Sequence, residues 1–129
     1  MPVQELAAAL IRVFEGLRLT AYSDSGGVWT LGFGHTSGVE PGDSCTLEQA
    51  AAWLAADAQN LFRLAADKPL YAQAAYVSFG YNCGKHALEL VLAGSAQMGN
   101  FIHDRHGNAL EGLRARRALE MALIASSNT

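Results

Sequence analysis

Residues 14–36 read FEGLRLTAYSDSGGVWTLGFGHT, a run rich in glycine, β-branched and aromatic residues. The cluster Ser-Asp-Ser-Gly-Gly at residues 23–27 is typical of a tight turn, because these residue types favour turn conformations. The residues on both sides of the cluster are typical of strands. The run therefore predicts a β-hairpin or small sheet between Gly16 and Gly38.

The residues before this run have a helical pattern. Apolar side chains recur at the spacing of one helix face at Val3, Leu6, Ala7, Leu10, Ile11 and Phe14. This pattern predicts a helix that ends near Glu15, with Gly16 available as its C-terminal stop. Glu15 is thus expected at the end of a helix, directly before the sheet.

The residues after this run predict two longer helices. Thr46 and Gln49 have the spacing of a capping box, and an apolar stripe at helical spacing continues from there to Ala65. Pro69 can begin the next helix, because proline is favoured at a helix start, and that helix runs to about Asn82.

The C-terminal third predicts shorter pieces and one more helix. A short apolar piece covers residues 87–92, and a glycine-rich break follows at residues 94–99. Asn108 and Glu111 suggest a cap for a last helix that ends near Ile124. The order of elements predicts an α+β fold that is mainly helical, with a small β-hairpin sheet after the first helix.

Composition limits the classes of protein that fit. The chain has 129 residues, half of them apolar, which is enough for a single domain spanning residues 1–129. Nine basic residues against twelve acidic ones give no electrostatic reason to expect nucleic acid or an anionic membrane as a partner. The apolar stretch at residues 6–11 is too short to cross a bilayer. Cys45 and Cys83 have no metal-ligand spacing and are expected as free thiols.

Glu15, Asp24 and Thr30 are the candidates for chemistry. Cleavage of a glycosidic bond needs one carboxyl group that stays protonated and a second that stays ionised. The negative end of a helix and apolar neighbours disfavour the Glu15 anion, so Glu15 is the better acid. Asp24 lies in a turn with backbone N–H groups nearby, so it is the better base, and Thr30 could hold a water against it. An acid at a helix end and an aspartate in a turn are also common structural features, so this pattern leaves a structural role open.

The same segment resembles the signature of the phage lysozymes of glycoside hydrolase family 24. In that signature a Glu, eight residues, an Asp, five residues and a Thr precede Gly-x-Gly-His-Thr. Glu15, Asp24 and Thr30 match the catalytic positions of the family, and residues 32–36 match the rest. The resemblance implies a lysozyme-like fold and a role for these three residues in catalysis, with Asp24 and Thr30 acting on a water.

Two later segments extend the resemblance along the chain. Residues 77–84 resemble a buried family helix that ends in Asn-x-Gly, and residues 112–120 resemble a terminal helix with Gly-Leu-x-x-Arg-Arg. Residues 84–112 look shorter than in many relatives, which indicates a reduced cleft wall there.

The resemblance suggests His35, Asn82 and Arg114 as substrate-binding residues. His35 is expected to stabilise the hairpin and to pair with an acid, and Asn82 either borders the cleft or is a buried amide at a helix end. In the family an arginine of the terminal helix faces the catalytic glutamate, and Arg114 matches that position. Arg116 is expected on an exposed face. An arginine beside Glu15 would favour its anion and oppose the helix-end effect.

The resemblance implies an endolysin, a muramidase that hydrolyses the β-1,4 bond between N-acetylmuramic acid and N-acetylglucosamine in peptidoglycan and so lyses the host cell. No cofactor and no metal are implied. A secreted antibacterial toxin with the same chemistry and a non-catalytic peptidoglycan-binding relative stay as alternatives. We expect a monomer without stable membrane association, made in the cytoplasm of the host bacterium. It would depend on a holin to act in the periplasm and cell wall.

Overall fold

A computed structural model describes residues 2–127 of the chain. Within these residues five α-helices accompany one two-stranded antiparallel sheet, so the predicted α+β fold is confirmed. The elements in chain order are α1 (Val3–Glu15), β1 (Arg18–Ser23), β2 (Trp29–Gly32), α2 (Leu47–Leu64), α3 (Leu70–Cys83), α4 (Lys85–Leu92), a 3₁₀ turn (Met98–Asn100) and α5 (Glu111–Ser127). No helix in residues 2–127 has the length and apolar character that crossing a membrane requires.

Helix α1 ends where the sequence predicts. Its apolar face buries Ala7, Leu10 and Ile11. Gly16 follows with a φ of 69°, a conformation that glycine adopts without the penalty of a side chain, and its N–H donates to the carbonyl of Arg12. The chain therefore leaves the helix immediately after Glu15.

The predicted hairpin is also confirmed. Strands β1 and β2 pair antiparallel, with Tyr22 opposite Thr30 and Ser23 opposite Trp29. Asp24 begins the turn between them. This register places Thr30 on β2 two residues beyond the end of the turn.

Helix α3 is the central helix of the fold and packs against α1, α2, α4 and α5. Its buried residues lie on every side of the helix: Ala72, Ala74, Ala75, Val77, Ser78, Phe79 and Gly80. A Cβ on Gly80 would lie 2.8 Å from Leu61 and 2.9 Å from Leu88, so α2 and α4 approach α3 closely at this glycine. The capping box of Thr46 and Gln49 at the start of α2 forms as predicted.

The predicted cap of the last helix is wrong. Helix α5 begins at Glu111, and its first turn closes with the N–H of Arg114 donating to the carbonyl of Leu110. Asn108 therefore lies too early to cap the helix, and its own N–H donates to the Asp104 carboxylate instead. The helix continues past Ile124 to Ser127.

Candidate active site

Glu15 lies at the C-terminal end of α1 with its side chain 20% exposed. One carboxylate oxygen, Oε1, accepts a hydrogen bond from Nη1 of Arg116 at 3.0 Å. The other, Oε2, lies 3.3 Å from the point where a Cβ on Gly34 would stand. Gly34 has a φ of 83°, so both the backbone conformation and the space beside Glu15 favour glycine there. Glu15 is therefore held between α5 and the segment that follows β2.

The arginine that faces Glu15 is Arg116, so the expectation that Arg114 does so is wrong. The Arg114 side chain is 53% exposed and pairs with Glu111 on the helix surface at 3.5 Å. Arg116 was expected to be exposed, but its side chain is only 3% exposed. Residues two apart lie on nearly opposite sides of an α-helix, so the two arginines cannot share a face.

Tyr81 on α3 fixes the segment after β2. Its hydroxyl donates to the carbonyl of Phe33 at 2.6 Å, and the guanidinium of Arg12 lies 5.0 Å from the centre of the Phe33 ring. Helices α1 and α3 therefore both hold Phe33. Since Gly34 comes next in the chain, these contacts also set the distance between the hairpin and Glu15.

Asp24 is the first residue of the Asp24 loop, which we define as residues 24–28. Its Oδ1 accepts from the N–H groups of Gly26 and Val28 at 2.8 and 2.9 Å. These two bonds orient the carboxylate without any residue outside the loop. They engage one oxygen, so the second can contact a water or a sugar.

Thr30 is buried in the hairpin, with a relative exposure of 4%. Its hydroxyl donates to the carbonyl of Val28 at 3.0 Å. Because the hydroxyl proton is used in this bond, the oxygen lone pairs can accept a hydrogen bond from a water. Thr30 pairs with Tyr22 on β1, and Tyr22 lies two residues before Asp24. Thr30 is therefore near the start of the Asp24 loop.

His35 joins the hairpin to α2. Its Nδ1 lies 2.7 Å from Oδ2 of Asp57, and its ring stacks on Trp53 with 4.7 Å between ring centres. The expected pairing with an acid is therefore present. These contacts give His35 a structural role, and its role in substrate binding stays a prediction.

Asn82 lies at the end of α3 and lines a cavity of about 250 Å³ with Cys83, Phe101, His103 and Leu113. The amide oxygen of Asn82 is 3.5 Å from the Cys83 thiol. Burial raises the pKa of that thiol, although the neighbouring Arg117 guanidinium opposes the rise. Cys83 and Cys45 are both free. Asn82 thus borders a recess, and its contact with substrate stays a prediction.

Beneath Arg116 lies a buried group of charges between α3 and α5. Glu120 is fully buried, and its Oε2 accepts from the Ser78 hydroxyl at 2.5 Å and from Nη2 of Arg117 at 3.1 Å. The same oxygen is 3.4 Å from Nε of Arg116. Burial raises the pKa of the Glu120 carboxyl, against the opposing effects of Ser78 and the two arginines.

A second hairpin loop has the same hydrogen-bond pattern as the Asp24 loop. In the Asp104 loop, residues 104–108, Oδ1 of Asp104 accepts from the N–H groups of His106 and Asn108 at 2.8 and 3.0 Å. In both loops the first and fifth residues also join through a backbone hydrogen bond of 2.9 Å. The N–H donors of Asn108 and His106 lower the pKa of Asp104.

Within residues 2–127 no group of three or more acidic, histidine or cysteine side chains could hold a metal.

The Asp104 loop reaches the Asp24 loop. Nη1 of Arg105 lies 3.0 Å from the point where a Cβ on Gly26 would stand, and Oδ1 of Asp24 lies 3.2 Å from the same point. Any side chain at residue 26 would therefore crowd both groups. A guanidinium thus stands beside the loop that carries the candidate base.

Comparison with known proteins shows which family the chain resembles. Residues 12–120, most of the chain, match the family described as phage lysozyme. The chain belongs to the phage lysozyme family. The earlier resemblance is thereby confirmed at the level of the family.

Similar proteins agree with the family assignment. An endolysin of Lactococcus phage c2 is 33% identical over 137 aligned positions, which cover 96% of this chain and 60% of that protein. An endolysin of Acyrthosiphon pisum secondary endosymbiont phage 1 is 49% identical over 57 residues, or 44% of this chain and 39% of that protein. This family member therefore spans less than two thirds of the length of these two endolysins.

Solved structures of similar shape include two relatives at or above 25% identity. The active form of the P1 phage endolysin Lyz has a TM-score of 0.80 and 25% identity over 97% of this chain and 85% of that one. The muramidase domain of SpmX from Asticaccaulis excentricus has a TM-score of 0.75 and 31% identity over 92% of this chain and 93% of that domain. The fold of this family member is therefore shared along nearly its whole length.

Sequence reasoning missed several residues that the structure brings to Glu15. Arg116, Ser78 and Glu120 lie on the contact between α3 and α5, and Tyr81 lies one turn further along α3. One signal was available for two of them. Arg116 and Glu120 are four residues apart, the spacing of an ion pair on one helix face. Ser78 and Tyr81 gave no comparable signal.

Tyr81 is expected to stay protonated well above the pH at which an exposed tyrosine ionises. Burial is the main cause of its raised pKa, and the carboxylates of Asp57 and Glu15 add to it. Because the folded-state pKa is raised, the stability from this group is complete below the unfolded value of about 10 and is lost as the pH rises. A spectrophotometric titration of the four tyrosines should show one ionisation that coincides with unfolding. Tyr81→Phe should remove that step, and its ionisation in the folded protein would contradict the prediction.

Proposed function

We propose that this chain is an endolysin, a muramidase that hydrolyses the β-1,4 bond between N-acetylmuramic acid and N-acetylglucosamine in peptidoglycan. The observation that carries the proposal is the placement of Glu15 at the end of α1, against Gly34 and Arg116, beside a hairpin that holds Asp24 and Thr30. The names of the similar proteins support it, since three of them are endolysins and one is a muramidase domain.

In this proposal Glu15 is the general acid. Its carboxyl proton passes to the glycosidic oxygen as the bond from that oxygen to the anomeric carbon breaks. The Glu15 side chain is partly exposed, so a sugar can reach it. The leaving sugar keeps the proton as a hydroxyl group, and Glu15 is left as the anion beside Arg116.

Asp24 and Thr30 act together on the attacking water in this proposal. The water donates one hydrogen bond to the Thr30 oxygen and the other to the Asp24 carboxylate. As its oxygen bonds to the anomeric carbon, the water gives a proton to Asp24. The Thr30 hydroxyl is already oriented as a donor to Val28, which leaves its lone pairs for the water. No cofactor takes part.

The proposal also covers the domain organisation, the oligomeric state, the location of the protein and its contacts with the substrate. Residues 1–129 form a single lysozyme-like domain that acts as a monomer on glycan strands. The protein is made in the host cytoplasm, reaches the wall with the help of a holin and lyses the host. His35 and Asn82 contact the substrate beside the catalytic residues. For Arg114, its exposure at 53% supports only a peripheral contact with the substrate.

Digestion of purified peptidoglycan tests the proposed chemistry. After incubation with the protein, the products are reduced with borohydride and analysed by mass spectrometry. A muramidase should leave N-acetylmuramitol at the new reducing ends. Reduced N-acetylglucosamine ends, 1,6-anhydromuramic acid ends or an absence of products would each contradict the proposal, and binding without products would indicate the non-catalytic relative.

A further inference from the structure

Glu15 belongs to a charge cluster, which we define as Glu15, Arg116, Glu120 and Arg117, and it is the one partly exposed member of the four. Arg116 lies between the two carboxylates. Its Nη1 donates to Glu15 at 3.0 Å, while its Nε lies 3.4 Å from Glu120. One guanidinium therefore serves as the counter-ion of two carboxylates, one at the candidate active site and one in the core.

Arg116 has little freedom to change partners. Its Nη2 donates to the Ser78 carbonyl at 3.0 Å and its Nε to the Ser78 hydroxyl at 3.3 Å. Its guanidinium also lies 5.1 Å from the centre of the Phe14 ring. Because the side chain is 3% exposed, water screens its charge only weakly. The charge of Glu120 therefore acts on Glu15 through a fixed guanidinium.

The charged and titratable groups around Glu15 and Glu120 come from α3 and α5. Glu15 is near Arg116 from α5 and Tyr81 from α3. Glu120 faces Arg116 and Arg117 on its own helix and the Ser78 hydroxyl and Cys83 thiol from α3. Nε of Arg117 lies 2.6 Å from Oε1 of Glu120, although that contact lacks the geometry of a hydrogen bond. With both carboxylates ionised, two positive and two negative charges cancel.

We propose that Glu120 is a positioning residue that shares Arg116 with Glu15 and thereby limits how strongly Arg116 holds Glu15 as an anion. This inference rests on the proposed function, in which Glu15 must carry a proton. An arginine with Glu15 as its only counter-ion would favour the anion and disfavour the acid form. Glu120 offsets part of that effect from the side of Arg116 that faces the core.

A structural role alone would have a different signature. Loss of Glu120 would then loosen the contact between α3 and α5 and lower activity by the same factor at every pH. The proposed role predicts instead a loss that depends on pH. Activity should fall where Glu15 is ionised in the variant but protonated in the original chain, and it should return at lower pH.

The test is Glu120→Gln in the full chain, with two readouts. The first is the titration of the Glu15 side-chain carboxyl, followed by ¹³C NMR, and its midpoint should fall by about one pH unit, the order expected for removal of one nearby charge at moderate dielectric. The second is the pH profile of hydrolysis. On its alkaline side kcat should fall about tenfold with KM unchanged, since one pH unit is a tenfold change in the protonated fraction.

Glu111→Gln is the matched control, because it makes the same charge change on the same helix at an exposed site. Glu111 contacts Arg114 and is 94% exposed, so neither readout should move. If wild type does not hydrolyse peptidoglycan, the proposed function fails, whereas the NMR titration still tests the coupling between Glu120 and Glu15.

Glu120→Gln leaves Arg117 buried without its counter-ion, which can prevent folding. The double variant Arg117→Gln/Glu120→Gln keeps the cluster neutral and is measured in the same way. Glu120 contacts Arg116 directly, so the midpoint of Glu15 should still fall, and it should fall by less than in the single variant because a positive charge is removed as well. An unchanged midpoint in the folded single variant, or in the double variant where the single does not fold, overturns the proposal.

Discussion

Glu15→Gln is expected to abolish hydrolysis of peptidoglycan while the chain stays folded. The amide has the same shape as the carboxyl but cannot donate a proton to the glycosidic oxygen, a role that contributes roughly 10²–10⁴-fold to the rate. The carbonyl oxygen of the new amide can still accept the hydrogen bond that Arg116 now donates to Glu15. Arg116 also keeps Glu120 as a counter-ion, so the variant should unfold within a few degrees of wild type.

The measurement is the rate of release of reducing ends from purified peptidoglycan, with thermal unfolding followed by circular dichroism. Glu5→Gln is the control, because Glu5 is exposed in the first turn of the same helix. Near-wild-type hydrolysis by folded Glu15→Gln would show that Glu15 is not the acid.

Asp24→Asn is expected to produce a loss of similar size, since an amide cannot take a proton from the attacking water. We expect roughly a 10²–10⁴-fold decrease in kcat, the range for general base catalysis. The Asp24 loop should keep its shape, because the amide oxygen can accept from the N–H groups of Gly26 and Val28 as the carboxylate does.

The chain offers a closely matched control in Asp104→Asn. Asp104 accepts the same two backbone hydrogen bonds at the same loop positions, but its bonds stay within its own loop, on a different hairpin from Thr30. The pKa of Asp104 is lower in the folded protein than in the unfolded chain. Its carboxylate therefore stabilises the fold at a pH above the unfolded-state pKa, and this stabilisation is lost as the pH falls through the folded-state pKa. Asp104 takes no part in the proposed proton transfer, so activity at neutral pH should fall far less in Asp104→Asn than in Asp24→Asn. Equal losses in the two variants would mean that the loop geometry, and not the Asp24 carboxylate, matters.

The elements that the sequence predicts are those set by local patterns. The end of α1 at Glu15 depends on the glycine that follows, and the start of α2 depends on Thr46 and Gln49. The hairpin depends on a turn of five residues. In each case the residues that determine the structure lie within about one turn of each other, so a short window of sequence contains the cause.

The environment of Glu15 could not be predicted in this way. Its partner Arg116 lies 101 residues further along the chain, and Ser78 lies 38 residues before Arg116. Helix α5 has only a weak apolar stripe, and its described buried residues are Arg116, Arg117 and Glu120. The face of this helix that points inward carries one ion pair to Glu15 on α1 and hydrogen bonds to Ser78 on α3, which a sequence pattern does not reveal, so the prediction for Arg114 was wrong. Tyr81 likewise acts through a bond to the distant Phe33 carbonyl.

The two carboxylates of the candidate site are held in different ways, Asp24 by its own loop and Glu15 by a distant helix. The two therefore differ in how easily local motion displaces them. The Asp24 loop closes on itself, so an opening of residues 24–28 alone releases the base while the helices stay packed. Glu15 is tied through Arg116 to the contact between α3 and α5, so an opening of the Asp24 loop leaves it in place. Local opening should therefore displace Asp24 far more often than Glu15. Amide hydrogen exchange in residues 24–28 should accordingly be faster than in the middle of α5. The loop can therefore change its shape without moving the acid, which stays beside Arg116 while α3 and α5 stay packed.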